Sequence, residues 1–228
     1  MPSNNIGFRV KLSFPRPSTE VIRAFCGWST GNVCDANGRM GALDYRIKPL
    51  AGAWKFVGPA LTVRARPVDN LILYQALDIC QPGDVLVITN DESTTTSVFG
   101  DHVCAIAKAR GVAAMVTDGL VRDAAGIREV GLPVFARGLN PNGPFKDGPG
   151  EVNFPIAIGG LPVNPGDLLV GDEDGVVVVR REDIAVVMNN LETVGKKEWQ
   201  MTQDIAAGKH ISDLVRQSLK AKGVELIE

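Results

Sequence analysis

The chain has 228 residues, 45% of them hydrophobic and 22% charged, with a formal net charge of −2. That length supports one sizeable core and forces no second, and the intermixed acids and bases leave no footprint for nucleic acid or an anionic membrane. No apolar run approaches bilayer length, and Met1-Pro-Ser-Asn-Asn lacks the basic and apolar regions of a signal peptide, so a cytoplasmic location is expected.

In chain order, the pattern predicts a short helix over Ser18 to Gly27, then a turn-rich stretch from Ser29 to Asp35. Alternating apolar and polar residues from Gly58 to Arg66 predict a half-buried strand. Helical spacing of Leu71, Tyr74 and Leu77 covers Asn70 to Cys80, ending before the turn Gln81-Pro82-Gly83-Asp84. Val85 to Ile88 is a short apolar strand, and the polar run from Asn90 to Ser97 is a loop leaving its carboxyl end. A helix over Gly100 to Arg110, a strand over Val112–Val116, a helix over Ala124–Val130 and a strand over Val134–Ala136 complete a β-α-β-α-β series. Such alternation predicts parallel strands whose carboxyl-end loops build the site.

Beyond it, 138–150 is rich in Gly, Pro and Asn and reads as an irregular loop. The β-branched runs Val152 to Ile158, Leu168 to Val170 and Gly175 to Arg180 should pair as a further sheet. Pro165-Gly-Asp-Leu-Leu-Val echoes Pro82-Gly-Asp-Val-Leu-Val, which reads as shared turn chemistry rather than a repeat. The last long element is a helix over Glu182 to Ala207, opening a C-terminal helical extension of about 182–228. Its apolar stripe runs through Ile184, Val187, Met188, Leu191, Val194, Met201 and Ile205, with Gly195 as a weak point. Glu198 falls on the same stripe, so it needs a partner there unless that end of the helix is wet.

Cys26, Cys34, Cys80 and Cys104 form no CxxC pair, and with only His102 and His210 beside them no zinc site is visible. Any metal should be a hard cation held by oxygen. The run Thr117-Asp118-Gly119-Leu120-Val121-Arg122-Asp123 follows a strand and sets a guanidinium beside a carboxylate at the mouth of the sheet. That pairing suits a divalent cation bound to a 2-oxo acid, with Asp123 on the metal and Arg122 forked onto the substrate's oxygens. An ion pair or a helix cap is the plainer alternative.

Gly100-Asp101-His102-Val103 opens a helix, whose first N–H groups lack intrahelical partners and suit a carboxylate or phosphate. Asp101 is equally suited to being an ordinary first-turn acid, and His102 to being a surface residue. No Lys falls in the loops assigned to the site, so a Schiff-base route lacks support. No phosphate-binding GxxxxGK[ST] and no dinucleotide fingerprint is present, which argues against a methyltransferase or nucleotide enzyme.

From about Ser29 to Gly208 the chain resembles the class II 4-hydroxy-4-methyl-2-oxoglutarate / 4-carboxy-4-hydroxy-2-oxoadipate aldolases, relatives of the regulator of RNase E activity. The resemblance rests on Gly58-Pro-Ala-Leu-Thr-Val, Asp69-Asn70, Pro82-Gly-Asp-Val-Leu-Val, Ala107-Lys-Ala-Arg-Gly-Val-Ala, Asp118-Gly-Leu-Val-Arg-Asp, Pro133-Val-Phe-Ala-Arg-Gly, Pro165-Gly-Asp-Leu-Leu-Val and Asp174-Gly-Val-Val-Val-Val. It implies a single α/β domain of the β/β/α swivelling type, with a parallel β-α-β core and a long C-terminal helix. Homotrimers or homohexamers with interfacial active sites are implied as well.

By the same resemblance, Arg122 binds pyruvate and Asp123 a magnesium or manganese ion. The backbone of Gly100, Asp101, His102 and Val103 receives the pyruvyl carboxylate. Glu198 matches a carboxylate that reaches the site from a neighbouring subunit. His102 departs from the apolar residue common at its place.

The expected reaction is metal-dependent cleavage of a 4-hydroxy-2-oxo acid to pyruvate and a second oxo acid. A metal-linked water oriented by Asp101 or Glu198 acts as base, and oxaloacetate decarboxylation is a side activity. The rival is a non-catalytic regulator that binds a ribonuclease or RNA helicase.

Overall fold

The computed structural model describes residues 5–209 and 211–227. Its elements in chain order are β1 (Phe8–Val10), α1 (Thr19–Phe25), α2 (Thr30–Ala36), β2 (Lys48–Pro49), β3 (Phe56–Ala65), α3 (Leu71–Ile79), β4 (Val85–Thr89), β5 (Ser97–Phe99), α4 (Asp101–Ala109), β6 (Ala114–Thr117) and β7 (Leu120–Val121). There follow α5 (Ala124–Val130), β8 (Val134–Ala136), β9 (Gly138–Leu139), β10 (Gly150–Val152), β11 (Ile156–Ile158), β12 (Leu161–Val163), β13 (Leu168–Asp172), β14 (Gly175–Val179), α6 (Ile184–Ala206) and α7 (Asp213–Ala221).

β3, β4, β6 and β8 form the expected parallel core of the main sheet, in the order β1-β10-β3-β4-β6-β8-β2. β4 is buried along its whole length, so its alternate side chains serve two cores. Leu86 and Ile88 face α3, α4 and α5, packing with Leu73, Cys104 and Ile127. Val85 and Val87 face the opposite way, toward Ile156, Val163, Leu169 and Val176. Sheet, sheet and helices thus stack as β/β/α layers. Cys80 and Cys104 sit in these cores as small apolar residues, as the pattern implied.

β13 and β14 do pair, antiparallel, but not as a separate sheet. β13 pairs with the first half of β3 (Phe56–Pro59), while β4 pairs with its second half (Ala60–Arg64). One ten-residue strand therefore belongs to both layers. Ser29–Asp35 is another correction: Ser29 Oγ accepts the N–H of Asn32 and caps α2, so a stretch that reads as turns is a helix.

The two Pro-Gly-Asp segments fold into the same turn. Gly83 and Gly166 take φ of 91° and 90°. Asp84 and Asp167 accept the N–H groups of Gln81 and Asn164 at 2.9 and 2.8 Å.

α6 runs unbroken through Gly195, against which the outer edge of the Trp28 ring packs; a Cβ there would lie 2.6 Å from Trp28 Cη2. The predicted apolar stripe is buried only in its first half, at Ile184, Val187 and Leu191. Met201 and Ile205 are exposed, because the helix outruns the core beyond Gly195. Among the described residues no helix is long and apolar enough to cross a membrane.

Candidate functional site

The site grows from an extension of the parallel core. Beyond their carboxyl ends, β4, β6 and β8 each give rise to a second short strand, and these pair in parallel as β5-β7-β9. The polar run 90–97 is therefore not all loop: Ser97 already belongs to β5. Ser97 pairs with Leu120 and Phe99 with Val121, while Leu120 pairs with Gly138 and Val121 with Leu139. Three segments distant in sequence leave this small ladder side by side.

The first is Gly100 and α4, the second Arg122-Asp123, and the third the chain from Asn140 onward. The Arg122 N–H donates to Phe99 O at 3.0 Å, and the Asn140 N–H to Val121 O at 3.0 Å. Buried Asp118 braces the same ends, accepting the Thr89 hydroxyl at 2.6 Å and the Asn90 N–H at 3.1 Å. Burial pushes its carboxyl pKa up, partly offset by these two donors.

The three segments enclose a depression of about 230 Å³ whose lining includes Asn70, Tyr74, Gly100 to Val103, Arg122, Asp123, Gly143 and Lys146. Arg122 Nε lies 3.2 Å from Asp123 Oδ2, and both side chains are 43% exposed. Asp123 adopts a left-handed backbone (φ 58°, ψ 43°), which asparagine and aspartate tolerate better than other side chains. Such strain held by its surroundings is typical of functional positions. Its carboxylate packs on Gly100, where an added Cβ would come within 2.3 Å of Oδ2. The guanidinium is placed against Gly143, where a Cβ would lie 2.7 Å from Nη1.

Asp101 is the first residue of α4 and approaches α5 at Gly126, where a Cβ would lie 2.5 Å from Asp101 Oδ2. Its Oδ1 accepts the His102 N–H at 2.7 Å and lies 2.7 Å from His102 Nδ1. Hydrogen bonding from His102, aided by the charge of Arg122, holds the Asp101 carboxyl below its usual range. At neutral pH it is a charged acceptor, better suited to orienting a water or hydroxyl than to taking a proton outright. The His102 imidazole is almost fully exposed. One of the four backbone positions expected to meet a substrate thus has its N–H engaged by Asp101, leaving those of Asp101 and Val103 as first-turn donors.

Of the residues singled out from sequence, Gly100, Asp101, His102, Val103, Arg122 and Asp123 meet in this depression. Glu198 does not line it; its side chain is exposed on the second half of α6, so the partner inferred from a buried stripe is not needed within one chain. His210 lies outside the described residues.

Sequence reasoning missed Asn70, Tyr74, Gly143 and Lys146. The presence of Lys146 corrects the expectation of a lysine-free site. It is exposed, without the apolar enclosure that activates a Schiff-base lysine. The available signal was the Gly-Pro-Asn-rich character of 138–150.

Among the described residues, no group of three or more His, Cys, Asp or Glu side chains forms a metal cage. Asp123 presents a single carboxylate at an open site, the donor set of a hard cation that keeps most of its waters or shares substrate oxygens. The residues present fit a cation of that kind.

A β/β/α protein with a depression lined by Asp101, His102, Arg122, Asp123 and Lys146 at the carboxyl ends of its parallel strands is what the fold and the side chains define. The chain belongs to the RraA-like family: the Aldolase/RraA family model matches residues 30–178. It is 38% identical over 196 residues, 86% of this chain and 90% of the other, to a Halalkalibacterium halodurans protein named provisionally as a 4-hydroxy-4-methyl-2-oxoglutarate aldolase. It is similar in structure to a Streptomyces coelicolor member of the RNase ES inhibitor RraA family (TM-score 0.73, 29% identity, 84% of this chain and 98% of the other). The RNA-processing inhibitor RraA from Thermus is also similar (TM-score 0.62, 31% identity, 67% and 92%).

Proposed function

We propose that the protein is a divalent-cation-dependent lyase that cleaves 4-hydroxy-2-oxo acids to pyruvate and a second oxo acid. The observation that carries this reading is the Arg122–Asp123 pair, 3.2 Å apart and packed on the glycine that opens α4. Asp123 would hold the cation, magnesium or manganese, which when bound would polarise the substrate's keto group as a Lewis acid.

Arg122 sets a permanent, planar charge beside the same oxygens and stabilises the negative charge that develops as the bond breaks. First-turn amides of α4 hold the pyruvyl carboxylate. Asp101, kept ionised, orients the group that takes the C4 hydroxyl proton. As that proton leaves, the C4–O electrons form the new carbonyl, the C3–C4 bond breaks, and its electron pair becomes the pyruvate enolate. Protonation at C3 then gives pyruvate. Oxaloacetate yields the same enolate by loss of carbon dioxide, so it is an expected alternative substrate. Glu198 enters this scheme only from another copy of the chain, and trimers or hexamers with interfacial sites belong to the same proposal.

The test is Asp123→Asn, which retains a side chain suited to the left-handed backbone but removes the ligand's charge. Magnesium-dependent pyruvate release should be abolished with the fold intact. Normal turnover in that variant would remove the basis of the reading. The names of the Streptomyces and Thermus relatives support a rival, a regulator of RNA processing. Capture of a ribonuclease or helicase by a protein that releases no pyruvate would favour it.

A further inference from the structure

The two Pro-Gly-Asp turns differ in what holds their carboxylates. Asp84 and Asp167 are both buried, at 0% and 1% exposure. Arg16 Nε and Nη2 donate to Asp84 Oδ1 and Oδ2 at 2.7 and 2.8 Å. The same guanidinium lies 3.8 Å from the centroid of the Phe14 ring, so it is committed there. Asp167 has no such cation: among the described residues its side chain accepts only the N–H groups of Asn164 and Arg181, at 2.8 and 3.0 Å. A carboxylate offers about four acceptor positions, so about half remain open, and a buried one favours a cationic partner.

Asp167 belongs to the wall of a cavity of about 360 Å³, larger than the depression and within the roughly 300–1,000 Å³ usual for small-molecule sites. It lies at the other end of the sheet. Asp167 O accepts the N–H of Ala60, which pairs with Val85 at the start of β4, whereas the depression opens beyond Thr89 at its end. A second acceptor lines the same cavity: buried Asn153 donates through Nδ2 to Lys11 O at 2.7 Å, while its Oδ1 meets no donor among the described residues. Lys11 and Arg181 line it too, and among the described residues neither side chain is within salt-bridge distance of a carboxylate. The Lys11 ammonium rests 4.4 Å from the centroid of Phe154. Exposed Glu182 is the remaining charge, and Phe14, Pro15, Pro155 and Pro165 make up the apolar part of the wall.

Open acceptors and unpaired cations in one cavity call for a ligand that carries both signs. An ammonium answers the Asp167 carboxylate and the Asn153 amide oxygen, a carboxylate answers Lys11 and Arg181, and an apolar body suits the proline-lined wall. A simple anion leaves both acceptors without a donor and meets Glu182, and a metal ion leaves both cations unanswered. We propose that this cavity binds an α-amino acid as its zwitterion, one with an apolar or aromatic side chain. The site does not depend on the chemistry proposed for the depression.

The probes are L-phenylalanine and L-leucine, with 3-phenylpropanoate, which lacks the ammonium, and 2-phenylethylamine, which lacks the carboxylate. In calorimetry L-phenylalanine should bind roughly tenfold or more tightly than either analogue, since each forgoes one set of charge-assisted bonds. The ammonium end is tested from the ligand's side because Asp167 closes its own turn. At the other end the side chains of Lys11 and Arg181 are exposed, so Lys11→Met and Arg181→Met should leave the melting temperature unchanged. Each should weaken L-phenylalanine by roughly tenfold and leave 2-phenylethylamine affinity as it was. No binding of L-phenylalanine or L-leucine at millimolar concentration, an analogue bound as tightly as the amino acid, or an affinity that both variants retain would overturn the assignment.

Discussion

Replacing Gly100 by alanine isolates the role of one packing contact. The backbone there (φ −136°, ψ −162°) is open to any L residue, so alanine introduces no conformational strain. The new Cβ instead lands 2.3 Å from Asp123 Oδ2 and 3.1 Å from Arg122 Cγ. Carbon and oxygen approach comfortably no closer than about 3.3 Å, so the carboxylate must retreat by roughly 1 Å. Misplacing a catalytic group by that amount costs about 100-fold in rate, equivalent to about 2.7 kcal/mol of transition-state stabilisation. The retreating group is the half-exposed end of a side chain, so stability should change by less than about 1 kcal/mol. The assay pairs magnesium-dependent pyruvate release from oxaloacetate with urea unfolding. Turnover within about threefold of wild type, in a protein of normal stability, would refute the claim that Asp123 must sit against Gly100.

Gly195→Ala should lower stability by about 1 kcal/mol: up to ~1 kcal/mol of helix propensity is gained against ~1–3 kcal/mol of overpacking on Trp28. In a Trp28→Phe background the sign should reverse, which paired thermal melts will show. Asp172→Ala should cost about 2–4 kcal/mol in chemical denaturation, because the buried Thr30 N–H and hydroxyl lose their acceptor. Burial alone would raise the Asp172 pKa, but hydrogen bonds from Thr30 and Asp174 hold it below its usual range. Its contribution is therefore complete above the unfolded pKa of about 3.9 and is lost as pH falls through the folded value. The gap between wild type and variant should close in acid; a gap that stays constant to the acid limit would contradict the ion's role.

The alternating core was readable because period and apolar runs are local signals. Val134–Ala136 and Ala124–Val130 coincide with their elements, and β4 and β6 shift by a few residues at most. α2 was missed since its polar, turn-like composition conceals a Ser29 cap. β5 was hidden inside a polar run because its partner strand, β7, lies more than twenty residues away. Arg122 and Asp123 declared themselves by adjacency in the chain. Lys146 did not, since only the ties of Asp69 and Phe145 bring its loop to α3. Glu198's place on the stripe left a partner or a wet helix end open, and its exposure selects the wet end, since periodicity reports which face is apolar, not how far the core extends beneath it.

The β5-β7-β9 ladder has a mechanical consequence. A residue inserted before any of its rungs would flip the pleat and shift its neighbours together, so the side chains that line the depression are geared to one another rather than independently adjustable. Downstream of β9 the chain remains coupled to that gearing: Ser97 donates its N–H and its hydroxyl to Asn142 O at 2.8 and 2.7 Å, and Gly143 carries the Arg122 guanidinium. A graft of residues 140–147 should therefore disturb Ser97 and Arg122 as well, and would need β5 and β7 to be altered with it.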